Sequence, residues 1–314
     1  MILDAFLASV QAVIPVFLIV MAGYLAKRVS LIREQDIFRM NKLMFTVFLP
    51  TLIYYNIYQS DFSSILRPKI LLFFSLGLVG AFSLGALFTC LFVKERSKRG
   101  VIIHALFRSN FSIIGLPIIN ALVDKPDMAV PMIALVVGVP ITNILGVTAL
   151  EFFGGQKMSF RKTLLDILKN PLIIACLLSI LTLALGIRLP RVVESAVGSM
   201  SRAASPMLLF LLGAFFRFDG LKEDLGLLVW ANLGRLVLIP AVFLGLAALF
   251  GLRGVEMATA IGMFATSAAT STFTMAQQMG SDAKLAGNIV VTTSFFCSFT
   301  LLGWCFVTKL LGLV

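Results

Sequence analysis

The sequence predicts an all-α integral membrane protein of ten spans, arranged as two inverted five-helix repeats. Three observations carry that prediction. Hydrophobic residues make up 59% of the chain and charged residues 13%, against roughly 25% charged in an average soluble domain. Ten stretches are apolar over the length of about 20 residues that a span needs, beginning near residues 5, 37, 68, 100, 127, 163, 191, 224, 255 and 282. Polar residues interrupt the fourth and the ninth, at corresponding places in the two halves.

The first stretch opens with Asp4 instead of a basic patch and runs to Ala26 through Pro15. It lacks the short apolar core and small-residue cleavage site of a secretory signal, so it is read as the first membrane helix. The second span carries Leu49-Pro50, and Tyr54, Tyr55 and Tyr58 follow; these tyrosines suit either an aromatic ligand or a membrane interface. The seventh carries Ser205-Pro206 in a matching position. The third, fifth, sixth, eighth and tenth are apolar runs, the eighth containing Asn232 and Arg235, with the arginine read as structural. Cys90, Cys176, Cys297 and Cys305 lie inside apolar stretches without paired spacing, and read as small buried hydrophobes, neither disulfides nor metal ligands.

A short basic loop divides the chain into residues 1–153 and 163–314, with 154–162 as a cytoplasmic linker. Five spans on each side mean that equivalent helices cross in opposite directions, which is the inverted-repeat arrangement of many secondary carriers. The net charge of +11 is read by position. In a membrane protein Lys and Arg excess marks cytoplasmic loops, and it implies no affinity for nucleic acid. The two densest clusters, Lys94 to Arg99 and Lys157 to Lys162, fall on the inside when both termini are placed outside. The expected setting is the bacterial inner (plasma) membrane, with the lipid bilayer as the surrounding partner.

The two breaks carry the functional reading. The first is Arg108-Ser-Asn110-Phe-Ser-Ile-Ile-Gly115-Leu-Pro117; the second is Thr266-Ser-Ala-Ala-Thr270-Ser271-Thr272. Hydrocarbon tolerates non-helical backbone only where protein or a water-filled cavity satisfies it. A half-helix that starts at mid-membrane offers unpaired N–H groups and a positive dipole end, both of which favour an anion. Asn110 adds side-chain donors and is read as a substrate ligand. The hydroxyls of Thr270, Ser271 and Thr272 either donate to an anion, repair loose backbone groups or pack helices. Gly115 is expected to permit a conformation that other residues resist, and Pro117 to remove a donor and fix a helix start. Arg108 either steers an anion towards the crossing, or snorkels along His104, or neutralises the end of the first half-helix. His104, the single histidine, is either a proton-linked group or a polar packing residue.

No Asp or Glu falls within either break. A sodium site built on a carboxylate there is therefore disfavoured, although carbonyl and hydroxyl oxygens remain available. Coupling through protons carried by a weak-acid substrate and transport driven by membrane potential alone both stay open. No GxSxG, HExxH or acid-rich repeat is present, so an enzyme is not expected, and no cofactor or metal is implied. A channel competes with a carrier, because polar breaks also line selectivity filters. The two breaks differ in sequence and make no ring, which favours a carrier.

The pattern Arg108-x-Asn110-x-x-x-x-Gly115-x-Pro117, the second span from Asn41 to Pro50, and Phe273-Thr-Met-Ala276-Gln-Gln followed by Gly280 resemble the auxin efflux carrier family of permeases. That family includes bacterial relatives of plant auxin exporters and of malate or malonate permeases. The resemblance covers the whole chain. It implies the architecture of bile-acid sodium symporters and an elevator mechanism. Helices 1, 2, 6 and 7 would form a scaffold, and helices 3–5 and 8–10 a mobile transport domain in which the broken helices cross. It further implies a homodimer and a substrate carboxylate held by Asn110. Ser267 and Ser271 stand where many bacterial relatives of that family carry a proline and an asparagine. The expectation is thus a secondary transporter of a small organic anion, a short dicarboxylate or an auxin-like weak acid. Its substrate-binding set is Arg108, Asn110, Gly115, Pro117, Ser267, Thr270, Ser271 and Thr272; the alternatives are an anion channel and a sodium-coupled symporter of the bile-acid type.

Overall fold

Long apolar runs have no water to satisfy their backbone inside a bilayer, so they must satisfy it within the segment, as helices. A computed structural model describes residues 14–15, 18–59, 67–123, 127, 129–153, 169–215 and 223–314. Residues 1–13 of the first span, the linker 154–162 with Lys157, Arg161 and Lys162, and Asp166 lie outside the described residues. Every regular element among the described residues is helical, and one isolated bridge, Ser109 with Ala268, is the strand-like pairing found.

Helix α1 covers 18–28. It is followed by α2 (Glu34–Leu43), α3 (Leu49–Tyr58), α4 (Pro68–Phe92), α5 (Arg96–Phe107), α6 (Leu116–Leu122) and α7 (Ala129–Phe153). The second half holds α8 (Pro171–Ala184), α9 (Arg191–Phe215), α10 (Leu225–Leu233), α11 (Ile239–Leu249), α12 (Val255–Phe264), α13 (Ser271–Gln278) and α14 (Ala283–Leu310). Five helices are long and apolar enough to cross a membrane: α4, α7, α9, the continuous α10–α11 and α14. At 25 residues, α4 is about 37 Å long, more than the hydrocarbon core of about 30 Å. Shorter apolar helices of 10–17 residues, including α8 and α12, accompany them. The molecule is therefore a multi-pass, all-helical membrane protein.

Among the described residues three helices contain a π-helical turn, Met44–Phe48, Phe111–Gly115 and Gly234–Leu238, and each ends two residues before a proline: Pro50, Pro117 and Pro240. Proline has no N–H, and its ring crowds the carbonyl four residues earlier, so the preceding turn widens. At Pro240 the carbonyl left without a donor belongs to Leu236, and the Trp304 indole supplies one at 2.9 Å.

Apolar packing gathers in two cores. One joins α4, α6, α7, α11 and α12 around Phe74, Phe107, Ile114 and Phe264. The other joins α3, α8, α9 and α13 around Leu49, Leu172, Leu211 and Phe273. The outer surface is apolar as well: Leu76, Leu91, Leu181, Leu249, Phe299 and Leu310 are all exposed, as expected for side chains facing lipid. Cys90 faces outward too, which corrects its reading as a buried hydrophobe; Cys176, Cys297 and Cys305 are buried and, like Cys90, free thiols. The tyrosines of α3 fasten it to its neighbours. Tyr54 donates to Thr182 at 3.2 Å, Tyr58 accepts from the Leu189 N–H at 3.1 Å, and Gly198 lies against the Tyr55 ring.

Candidate functional site

Both interruptions occur, and they meet. After α5 the chain is non-helical from Arg108 to Asn110, with Arg108 extended, and after α12 it is non-helical from Ala265 to Thr270. The two segments pair antiparallel: the Asn110 N–H donates to the Ser267 carbonyl at 2.9 Å, and the Ala269 N–H to the Arg108 carbonyl at 3.1 Å. Each break thus repairs part of the other, which is how non-helical backbone survives deep in a membrane protein. Hydroxyls from α14 complete the repair. Thr293 accepts from the Ala268 N–H at 3.2 Å, and Ser294 donates to the Ser267 hydroxyl at 3.3 Å.

Gly115 does not play the conformational part expected of it. Its φ of −65° and ψ of −48° are ordinary right-handed helix. The reason for glycine is contact. A Cβ there would lie 2.8 Å from the Phe111 ring and 3.1 Å from the Gly262 carbonyl oxygen, while a Cβ on Gly262 would lie 3.1 Å from the Gly115 Cα. The two broken helices therefore cross glycine against glycine. Gly262 was not singled out in the sequence, where it is one more small residue in an apolar run. Pro117 lies inside the continuous helix Phe111–Leu122 and not at its start, and its ring and missing N–H act on the Ile113 carbonyl within the π-helical turn.

Beside the crossing lies a cavity of about 100 Å³. Arg108, Asn110, Thr270 and Ser271 line it, together with Ser109 and Ser112 from the first break, Thr142 from α7, Asn56 from α3 and Ser205 from α9. Four of the sequence-predicted residues thus share one space. The other four do not. Ser267 is engaged with backbone and Ser294; Thr272 faces His104, whose Nδ1 is 3.0 Å from its Oγ1; Gly115 and Pro117 shape the helix behind. Asn56, Thr142 and Ser205 were missed as cavity-lining residues because they lie on other helices, and single polar residues in a span carry no local sign of where they point.

Within the cavity the polar groups are incompletely satisfied. Asn110 is 5% exposed and its Nδ2 has no hydrogen-bond partner. Arg108 is also buried, and its Nη1 makes two long contacts, 3.4 Å to the Thr142 carbonyl and 3.5 Å to the Met275 sulfur. Among the described residues no carboxylate lines the cavity. Buried donors without partners are costly. A carboxylate is a guest that would satisfy both. A larger cavity, about 380 Å³, lies between α1–α2 and α13–α14, but its two lysines are already paired, Lys27 with Glu34 at 3.2 Å and Lys284 with Glu223 at 2.6 Å.

Arg235 lies on the opposite side of the crossing. It is fully buried on the π-helical turn of α10–α11, and donates to the carbonyls of Thr266 at 2.8 Å, Leu106 at 2.9 Å and Met263 at 3.3 Å. His104 is buried one layer behind the cavity, with its Nε2 unpartnered against Gly146.

A family model described as membrane transport protein matches residues 8–305. An uncharacterized transporter of Methanocaldococcus jannaschii is 24% identical over 306 residues, covering 94% of this chain and 97% of that protein. An uncharacterized transporter of Methanothermobacter thermautotrophicus is 22% identical over 265 residues, covering 82% and 84%.

Proposed function

The chain belongs to the family of membrane transport proteins that includes the auxin efflux carriers, and on that premise we propose that it is a secondary carrier of a small organic anion. The observation that carries this reading is Asn110, which lines a cavity together with Arg108 and, among the described residues, no carboxylate, and whose buried Nδ2 has no hydrogen-bond partner. An anion entering there meets a guanidinium, an amide donor and the hydroxyls of Thr270 and Ser271, along with the positive ends of two half-helices. Charge-assisted bonds of this kind are worth about 1.5–3 kcal/mol each.

The size of the cavity narrows the guest. At about 100 Å³ it is well below the 300–1,000 Å³ or so that holds drug-sized ligands. That favours a short mono- or dicarboxylate over an indole acid or a bile acid.

Alternating access is read as movement of the third to fifth and eighth to tenth spans of the sequence against the first, second, sixth and seventh, α3 belonging to the second span and α9 to the seventh. The cavity lies between these two groups: Asn56 and Ser205 are on one, Asn110, Thr142 and Ser271 on the other. The antiparallel meeting of the breaks supports two inverted repeats, residues 1–153 and 163–314. Both termini outside, an inner-membrane location and a homodimer complete the proposal.

Counterflow in proteoliposomes tests it. Labelled malonate or malate should accumulate transiently against unlabelled internal substrate and saturate with concentration. Flux that never saturates and shows no trans-stimulation would replace the carrier with a channel.

A further inference from the structure

The ends of the half-helices at the crossing are not equivalent. Two N-terminal ends face the anion cavity; two C-terminal ends, those of α5 and α12, bring carbonyl oxygens together in the protein interior. The last carbonyls of a helix have no intrahelical donor and carry about half a negative charge between them. In a continued helix the Leu106 carbonyl would accept from the Asn110 N–H, but that group donates to Ser267 instead. Carbonyl ends gathered in this way in broken-helix carriers are coordination sites for a small cation.

Here the position is filled from within the chain. Three guanidinium nitrogens of Arg235 reach three carbonyls, two on the α12 side of the crossing and one on α5, so one side chain spans both half-helices. The local sequence is built to bring it there. Gly234 lets α10–α11 approach α5 closely, since a Cβ at Gly234 would lie 2.5 Å from the Leu106 Cδ2. The π-helical turn before Pro240 sets the direction of the side chain. Among the described residues Arg235 forms no ion pair, so its charge is balanced by the carbonyl dipoles alone.

We propose that Arg235 is a positioning residue that serves as a built-in counter-cation, holding the two half-helices at the crossing in the place of a bound metal cation. The crossing is then complete without sodium, and its geometry depends on a charge that cannot dissociate. Removing that charge leaves a carbonyl-lined space shaped for a guanidinium ion. The inference concerns the side of the crossing away from the cavity and does not depend on the identity of the substrate.

Full-length Arg235→Ala is compared with the parent by thermal unfolding in detergent, in choline buffer, then with low tens of millimolar guanidinium chloride, sodium chloride or further choline chloride. Guanidinium at that level is far below the concentrations that unfold proteins. The expected result is a lowered Tm in Arg235→Ala, at least half of it restored by guanidinium, little by choline, while the parent responds to none of the three. A parent stabilised by sodium, or an Arg235→Ala variant equally indifferent to all three salts, would overturn the proposal. Should Arg235→Ala give no folded protein, Arg235→Lys is set against Arg235→Met. Retention of Tm by lysine alone supports a cation, and equal loss in both reduces Arg235 to packing volume.

Discussion

Two arginines flank the crossing, one on each side, and they are treated in opposite ways. Arg235 is wholly buried and makes three hydrogen bonds to carbonyls; Arg108 is nearly as buried, yet makes only two long contacts and faces a cavity. The same break creates both environments, because cutting a helix exposes carbonyls at one end and N–H groups at the other. The carbonyl side is closed by the chain's own cation. On the N–H side, the Asn110 Nδ2 has no partner in the protein and Arg108 makes only its two long contacts. A fully satisfied polar cluster is a structural device, and an unsatisfied one next to open space is a place for a ligand.

The largest effect should come from breaking the closed side. Arg235→Met leaves three buried carbonyls without a donor, at about 1–3 kcal/mol each, so chemical or thermal unfolding should show a loss above about 3 kcal/mol. The open side should behave differently. Asn110→Ala is expected to cost tenfold or more in carboxylate affinity, from a charge-assisted bond of about 1.5–3 kcal/mol, with almost no change in Tm. Comparable losses of folded yield and affinity would assign Asn110 to the architecture.

The Gly115–Gly262 contact joins the two sides and should show an intermediate response. In Gly262→Ala the added methyl meets backbone of Gly115 at about van der Waals overlap, and overpacking of this kind costs about 1–3 kcal/mol. Both Tm and affinity should fall, and an unchanged Tm would mean that the helices separate easily at this point. The smallest effect is expected far from the crossing, where Lys98 donates to Asp224 at 2.9 Å and pairs with Glu95 at 3.0 Å. The Asp224 hydrogen bond, more than the Glu95 one, raises the lysine pKa above its ordinary 10.5. A raised pKa means that the pair's contribution is fully present below the unfolded value and is lost only as pH rises through the folded one. Asp224→Asn should therefore lower Tm slightly and equally at pH 6 and pH 9; a loss confined to one of these would contradict the assignment.

Much of this was legible in the sequence for a physical reason. Hydrocarbon penalises polar backbone so strongly that a Ser-Asn or Thr-Ser-Thr interruption in an apolar run stands out. Arg235 could be read as structural from its setting, one turn after Asn232. What could not be read was the pairing between distant segments. Nothing local to Gly262 says that Gly115 lies against it, and nothing local to Thr142, Asn56 or Ser205 says that they face Asn110. For the same reason the hydroxyls of the second break could not be sorted. Thr270 and Ser271 face the cavity, while Ser267 mends backbone and Thr272 meets His104, and that division depends on how α13 is rotated against α5 and α14. Gly115 was misjudged because glycine has two uses, conformational freedom and close approach, and the sequence does not distinguish them.

The most direct test of the open side is a thermal-shift titration of purified protein with malonate, malate, indole-3-acetate and a bile acid, with and without sodium, on the parent and on Asn110→Ala. A ligand that binds only the folded state raises its apparent stability by mass action. Stabilisation of the parent by a short carboxylate, independent of sodium and absent in Asn110→Ala, is the predicted result. A sodium-dependent shift, or one that survives in Asn110→Ala, would contradict the account.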